Sequence, residues 1–524
     1  MKDIFKALIC TFLIGLIAFY VFLPPINFTC MEFYSFLTFL VIIYFVFKVI
    51  VFGKINLRNI KYNSFNIIKL AVLVFVLAFL PILINIVFSP LFNAKGYSSR
   101  IDIKMDGNFA SDVEEVDFNH IPLLDKDSSQ KLGDRVMGQL PELVSQFYVS
   151  DLYTQINYDN RIVRVTPLEY NGFIKYLSNF KDGIKGYIVV DSGNGEANLV
   201  KLEKGMKYVP SGYFFNNLYR KLRFSYPTFV FDNVNFEIDN NGHPYWIVPV
   251  IKYTGIGLLK DIKGIVIMDA VSGDSNYYKV GDVPSWVDHV YSADLILEQV
   301  DDWGIYKNGF WNSILGQKGV VNTTDGYNYL TILDDVYLYT GITSVSNDEA
   351  NIGFILSNLR TKDTVFYSVP GAEEYSAMGS SEGQVQQMNY KASFPLLINL
   401  NGKPTYLISL KDNAGLVKMY SFVDVNDYQK VVVTDSSKGI KEAARNYLNS
   451  IGALEENNKT IKIKSIKEAT INGLTYYYII SSDNEKFRVS IDKAEYILPF
   501  LNVGDSIKVF YRIDIVNDIV KVEE

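Results

Sequence analysis

The sequence predicts a multi-pass membrane anchor of three transmembrane helices, then an α+β ectodomain of repeated antiparallel units and a small C-terminal β-barrel. Three observations predict it. Long apolar runs and an excess of basic residues are confined to residues 1–90. Strand-like segments recur further on with nearly the same wording. The C-terminal stretch places five short strand signals between turns. Length agrees, because 524 residues exceed the roughly 250–300 that one core organises. Composition agrees too, since 15% Phe, Tyr and Trp is too aromatic for a disordered chain.

The anchor occupies residues 1–92. Ala7–Leu23 is uncharged, Phe33–Phe52 is interrupted only by Lys48, and Leu70–Phe88 contains Pro81. Each has the roughly 17–25 residues a bilayer crossing needs. In hydrocarbon the backbone must satisfy its own hydrogen bonds, so spans at about 7–23, 33–52 and 70–88 are expected as helices. Pro81 should kink the third. Pro24-Pro25 follows the first run where a cleaved signal would carry a small-x-small site, so this run is read as retained. Thr11, Ser35, Thr38 and Asn85 are the notable polar side chains inside the runs, which suits a passive anchor better than a transporter.

Orientation follows from the loops. Residues 1–90 hold seven basic residues (Lys2, Lys6, Lys48, Lys54, Arg58, Lys61, Lys69) against Asp3 and Glu32, which leaves −12 on the rest of a −7 chain. Pro24–Glu32 has no Lys or Arg, whereas Gly53–Lys69 has four. The positive-inside rule then puts the N-terminus and the second loop in the cytoplasm, and everything after about residue 91 outside the cell. The two cysteines are Cys10 and Cys30, so the outer part does without disulfides, as suits a bacterium with one membrane.

Residues 93–125 are polar and read as a tether. The region 126–300 begins with a short helix, for which Asp127-Ser128-Ser129 offers capping side chains, running to about Gln139. A second helix is expected at Pro141 with Leu143, Val144 and Phe147. Strands follow. Lys185–Asp191 matches Lys263–Asp269, and Ser-Gly follows each, at Ser192-Gly193 and Ser272-Gly273. Val-Pro-Ser follows again at Val209–Ser211 and Val283–Ser285. In the region 301–435, Asn401-Gly402-Lys403-Pro404 echoes Asn241-Gly242-His243-Pro244. Asn-Gly supplies positive φ for a tight turn, and a β-rich run follows each. Two or three copies of one α+β unit are expected.

These units resemble PepSY-type modules through Phe236–Ile247, Lys263–Asp269 and Ser272-Gly273, with Phe394–Leu410 as another first half. The resemblance implies a strand, a turn and a second strand ending in Asp-x-x-[Ser/Thr]-Gly, packed as an antiparallel sheet on a helix. The chain is also similar to a group of membrane-anchored proteins of Gram-positive bacteria. That likeness is carried by Gly309–Ser313, Gly326–Tyr329, Tyr339–Ser344 and Leu410–Asp412, and it brings no activity with it. PepSY relatives often bind or restrain envelope enzymes.

Residues 436–457 read as a helix and linker, with Ile440, Ala443, Ala444 and Leu448 on one stripe after Asp435-Ser436. Residues 458–524 carry strand signals at Ile461–Ile466, Leu474–Ile480, Phe487–Ile491, Ser506–Tyr511 and Ile519–Val522, a spacing that fits a small OB-like or SH3-like barrel. Nucleic acid is not an expected partner, because no basic face is apparent.

The sequence lacks the common catalytic signatures. It has no His-Glu-x-x-His, no nucleotide phosphate loop, and no ligand spacing among His120, His243 and His289. No metal or cofactor is expected. The candidate binding residues are Trp303, Trp311, Gln317, Asp325, Tyr327, Asp335, Tyr337 and Tyr339, where aromatics alternate with acids and amides as a glycan- or peptide-binding surface requires. A Tyr-rich sheet packed on its neighbour has the same composition. Glu373–Gln384 reads as a loop. The expected function is a non-enzymatic, membrane-anchored binding or scaffold protein of the bacterial cell envelope, partnered by the bilayer and by an envelope protein or wall polymer. The alternatives are a carboxylate-dependent hydrolase or transferase, pairing Asp325 or Asp335 with Glu373 or Glu382, and a subunit of a sensory or transport complex.

Overall fold

The computed structural model describes all residues except 1, 52–59, 119–120, 160, 333–334, 345–346, 454–456, 472–473, 513–514 and 522–524. Lys54, Arg58, His120 and Asp334 therefore lie outside the described residues. The chain divides into two compact units. One comprises residues 1–419 with 423–429, the other 420–422 with 430–524.

The first unit begins with α1 (Lys2–Phe22) and α2 (Met31–Phe45, prolonged by a π-helical Val46–Val51). Ile4–Phe22 and Met31–Lys48 are long and apolar enough to cross a membrane. α3 (Ile60–Val87) is one continuous helix with Pro81 inside it. Proline is tolerated within apolar helices of this kind, where neighbouring bonds carry the missing one. A bend of 65° separates Val87 from α4 (Pro90–Ser98), so α3 and α4 make a third candidate span if the bent pair is taken as one. Pro90 opens the new helix, at a position where the absent N–H costs nothing.

Residues 93–125 are not a tether. They hold the end of α4, then β1 (Ile103–Gly107) and α5 (Phe109–Asp112). Ile101, Ile103, Phe109, Val113 and Ile121 are buried. The polar residues that suggested a linker are the solvent faces of segments whose apolar residues point inward.

Four sheets with one connectivity follow. The first is preceded by α6 (Lys126–Gly138) and α7 (Pro141–Val144). The cap of α6 is Asp125, whose side chain accepts the Ser128 N–H, rather than Asp127, Ser128 or Ser129. The second helix is a single turn, and Phe147 opens a strand. The strands are β2 (Phe147–Val149), β3 (Thr154–Tyr158), β4 (Arg161–Tyr170), β5 (Ile184–Asp191) and β6 (Ala197–Met206), with α8 (Phe173–Asn179) between β4 and β5. Two short strands, β2 and β3, both pair with β4, and β5 and β6 follow as a meander.

After α9 (Leu218–Ser225), the same plan recurs in β7 (Val230–Phe231), β8 (Asn235–Ile238), β9 (Pro244–Lys252), β10 (Asp261–Asp269) and β11 (Ser275–Lys279). It recurs after α10 (Ala293–Tyr306) in β12 (Val321–Thr323), β13 (Asn328–Ile332), β14 (Asp335–Ser344), β15 (Asn347–Asn358) and β16 (Thr364–Tyr367). That sheet is widened by β17 (Gly371–Ala372) on β15 and by β1, parallel on β16. The fourth sheet follows α11 (Glu374–Gln384), with β18 (Lys391–Ala392), β19 (Leu396–Leu400), β20 (Lys403–Lys411), β21 (Val417–Asp424) and β22 (Val431–Asp435).

One side chain organises the same turn each time. Oδ1 of Asp191, Asp269, Asn358 and Asp424, at or next to the end of each fourth strand, accepts the N–H groups two and three residues on. Such Asx turns give the backbone a local partner where the ladder stops. Four residues on, Gly195, Gly273 and Lys362 adopt positive φ. The structural counterpart of Ser272-Gly273 is thus Asn194-Gly195, not Ser192-Gly193.

The stretch read as a loop, Glu373–Gln384, is almost wholly the helix α11. Its Ala377 and Ser381 lie one turn apart, fully buried, and Glu374 is buried beside them. Small residues here allow close packing, and tertiary contact overrides the weak helical preference of the Gly and Ser residues among them.

In the second unit, α12 (Ile440–Ser450) follows a turn capped by Asp435. β23 (Asn457–Ile471), β24 (Leu474–Ser481), β25 (Lys486–Ser490), β26 (Ser506–Arg512) and β27 (Ile515–Lys521) close a barrel in the order β23-β24-β25-β27-β26. β25 and β27 are parallel, and the other described pairs are antiparallel. Its core contains Ile461, Ile463, Ile479, Phe487, Val489 and Ile507.

Candidate functional site

The eight candidate residues do not share one environment. Tyr339, on the central strand β14, is fully buried, and its hydroxyl donates to Glu374 Oε1 at 2.7 Å. Burial beside that carboxylate pushes the phenol's pKa well above its ordinary value. Asp335 is ion-paired with Arg360 and accepts the Asn358 amide at 2.7 Å. Tyr337 is half-buried on the same strand. Trp303 packs against the core from α10, with the Lys307 ammonium 4.0 Å from its ring centroid. Tyr327 is 5.5 Å from Tyr329, whose ring meets His289 edge-on. Trp311, Gln317 and Asp325 are exposed, Trp311 at 64%. None of the eight lines the three cavities described next.

The acids of the hydrolase alternative are largely engaged. Glu382 accepts the Ala392 N–H at 3.0 Å and lies 3.3 Å from the Lys391 ammonium, while Asp335 belongs to Arg360. Among the described residues no group of three or more His, Cys, Asp or Glu is placed to hold a metal.

A cleft of about 700 Å³ lies between the first two sheets, where Tyr158, Arg161 and Tyr187 face the Asn241-Gly242-His243 turn. His243 is a turn residue, as its sequence context suggests, with Nε2 3.0 Å from Asp269. A second cavity of about 320 Å³ lies where three sheets converge. Ile162 of β4, Leu330 of β13 and Leu397 of β19 form its apolar wall, and the acids Glu114, Glu115 and Asp117 lie along its edge. Two polar atoms there, Thr331 Oγ1 and Asn399 Oδ1, are buried and have no hydrogen-bond partner among the described residues. The segment before the cavity runs beside β19. Val116 N–H donates to Asn399 O at 2.9 Å, and the Asn399 amide donates to Val113 O at 2.6 Å. In the second unit, a cleft of about 560 Å³ between α12 and β24–β25 is spanned by Glu442, which bonds Arg445 at 3.2 Å and Arg488 at 3.1 Å.

Sequence reasoning missed a buried polar network between the first three sheets. Glu237 on β8 is completely buried and accepts the N–H groups of Asp288 and His289 at 2.9 and 3.1 Å. His289 Nε2 meets Gln155 O at 2.7 Å, and the Gln155 side chain accepts from Arg164 at 2.8 Å. Burial raises the Glu237 pKa to about 7 and lowers that of His289 to about 4. Glu237 lies in the Phe236–Ile247 segment and His289 stands alone, and neither has catalytic or ligand spacing that would mark it as part of a buried network.

The helices are joined to the sheets at one end. Ile26 N–H donates to Pro227 O at 2.8 Å, and Gly257 N–H to Thr29 O at 2.8 Å. Arg223 Nε donates to Leu23 O at 2.9 Å. Asn85, a polar exception in α3, exchanges two bonds with Ile256: its amide donates to the carbonyl at 2.7 Å and its Oδ1 accepts the N–H at 2.9 Å. The α1–α2 loop and the end of α3 thus both bond to the sheet-bearing part of the first unit. Compared with family models and with curated proteins, the chain matches none.

Proposed function

We propose that this chain is a membrane-anchored binding or scaffold protein of the bacterial cell envelope that performs no chemistry of its own. The observation that carries this reading is the joint between helices and sheets. Backbone and side-chain bonds from Pro24–Cys30 and Asn85 hold the sheets directly against the ends of the helices, with no free tether. Such a joint fixes an array of four like units at one height above a bilayer. The basic loop after α2 and the uncharged loop after α1 support a cytoplasmic N-terminus and an extracellular array. The shared connectivity and the Asx turn at Asp269 support a PepSY-like reading of the units. The barrel order, with its one parallel pair, supports an OB-type rather than an SH3-type barrel.

The binding region is the cavity where three sheets converge. An apolar wall, two unpartnered polar atoms and an acidic rim suit an extended polypeptide or a wall polymer bearing cations. Two measurements test this. In intact cells, with Cys10 and Cys30 replaced, an impermeant maleimide should label Lys279→Cys and Ser482→Cys and spare Asn63→Cys; the reverse pattern overturns the orientation. The purified full chain should bind envelope peptides or wall fragments without turning them over, and Glu114→Lys with Glu115→Lys should weaken binding at unchanged thermal stability. Turnover of either ligand class overturns the non-enzymatic reading.

A further inference from the structure

An exposed aromatic surface runs onto the last turn of α1. Phe173, Ile174 and Leu177 on α8, Phe214 and Phe215 in the turn before α9, and Phe224 on α9 are 41–67% exposed. They are contiguous. The Phe173 ring lies 6.2 Å from Phe214, and Phe215 lies 6.1 Å from Phe224. Phe224 in turn meets Phe19 of α1 at 5.5 Å, and Phe215 meets Tyr20 at 5.9 Å. Arg220 closes the joint, its guanidinium 4.2 Å from the centre of the Tyr20 ring.

The depth of this surface follows from the helix it touches, on the reading that α1 crosses the membrane. Ile4–Phe22 has 19 residues, or roughly 28 Å at 1.5 Å per residue, about one hydrocarbon thickness. Phe19 and Tyr20 therefore lie within one turn of the hydrocarbon boundary, and the rings packed on them lie at that boundary too. A soluble surface this apolar is unusual and marks a partner. Charge points to the same partner. Residues 172–181 and 208–225 contain no Asp or Glu, and besides the buried Arg223 of the joint they carry Lys175, Lys181, Arg220 and Lys221. Aromatic rings with a cationic fringe suit the headgroup region of an anionic bilayer.

We propose that α8 and the Phe214–Phe224 segment are embedded in the leaflet at the C-terminal end of α1, as an interfacial keel that sets the tilt of the sheet array on its own membrane. The occupant is lipid, not a second copy of the chain or another protein.

Spin labels on the full chain in nanodiscs containing anionic lipid test this. With Cys10 and Cys30 replaced, single labels at Ile174→Cys and Phe214→Cys should show an oxygen-to-nickel-chelate collision ratio several-fold above a label at Lys279→Cys. A label at Ile9→Cys reports on α1 itself. A deep Ile9 with a water-like Ile174 overturns the keel and leaves the anchor intact. A water-like Ile9 overturns the anchor reading. Intermolecular dipolar broadening at Ile174 that grows with the number of chains per disc assigns the surface to a second copy and overturns the lipid assignment.

Discussion

Two regions of this chain are comparably aromatic and meet opposite fates. Between Trp303 and Tyr339 the rings lie on α10, β13, β14 and the turns between them, with Asp325 and Asp335 nearby; between Phe173 and Phe224 they cluster on two short helices and a turn. The first region looks like a binding surface in the sequence, yet its most central ring, Tyr339, is fully buried and its acid Asp335 is ion-paired. The second drew no attention, yet it exposes Phe173, Ile174, Phe214, Phe215 and Phe224. Position in the fold decides. On the central strand β14, Tyr339 lies beneath α11, where Glu374 meets its hydroxyl. A short helix at the margin of a sheet buries one stripe, here Leu218 and Leu222 of α9, and leaves the other for whatever lies outside.

The largest test of this contrast is a pair of truncations. Tyr339→Ala removes a buried ring and the phenol that donates to Glu374 Oε1, leaving the Asn351 amide on Oε2 at 3.3 Å. It should cost about 3–5 kcal/mol, read as a lowered unfolding midpoint of the full chain. Ile174→Ser, at a side chain 67% exposed, should change the same midpoint by no more than about 0.5 kcal/mol. Equal losses would mean that both regions are core.

A second test uses pH, because the buried region extends through Tyr329 to His289 and Glu237. Glu237 has its folded pKa raised to about 7, so the unfolded chain loses its proton first and stability falls as pH rises from about 4.5 to 7. His289 has its folded pKa lowered to about 4, so stability falls as pH drops from about 6.5 to 4. Between about pH 4.5 and 6.5 the two slopes oppose each other. Glu237→Gln removes the first. Relative to the parent, it should gain about 3 kcal/mol between pH 4.5 and 7, whatever its absolute cost. A parallel pair of stability curves would show that Glu237 is ionised in the folded state. No such dependence is expected of Ile174 or Phe214 variants.

The joint beneath the exposed region gives a smaller effect. Asn85→Leu keeps the volume of α3 but strips both bonds from Ile256. It should cost about 1–3 kcal/mol, the penalty for leaving buried backbone groups unpaired. Limited proteolysis within residues 253–260 should then speed up, while cleavage near Asp325 stays unchanged.

Periodicity and turn chemistry made much of the architecture legible. The apolar runs marked the helices, Asn-Gly marked the turn into β9 and β20, and the paired segments at 185–191 and 263–269 proved to be the fourth strands of two sheets. The third sheet escaped notice for a local reason. Its Asx turn is made by Asn358, and Lys362, not glycine, takes the positive φ that Gly195 and Gly273 take elsewhere. The tether failed because a polar surface on β1 looks like a linker until its parallel partner β16, over 250 residues away, is known. The candidate residues failed to gather because alternation along β14 tells which side chains share a face, not what covers that face.

Trp311→Ala is the smallest perturbation and the most discriminating. Trp311 is 64% exposed on the π-helical turn after α10, and the one ring contact described for it is Phe310 at 5.4 Å. Its removal should move the unfolding midpoint by less than about 0.5 kcal/mol. Exposed tryptophan is also the side chain from which binding surfaces draw most energy, about 2 kcal/mol or more where it is an anchor. The two quantities separate cleanly. If the 303–339 region binds wall polymer or peptide, affinity falls about thirtyfold or more with stability unchanged. If affinity is also unchanged, the exposed remainder of this region is ordinary surface, and the cavity lined by Leu330 and Leu397 is left as the binding site of the first unit.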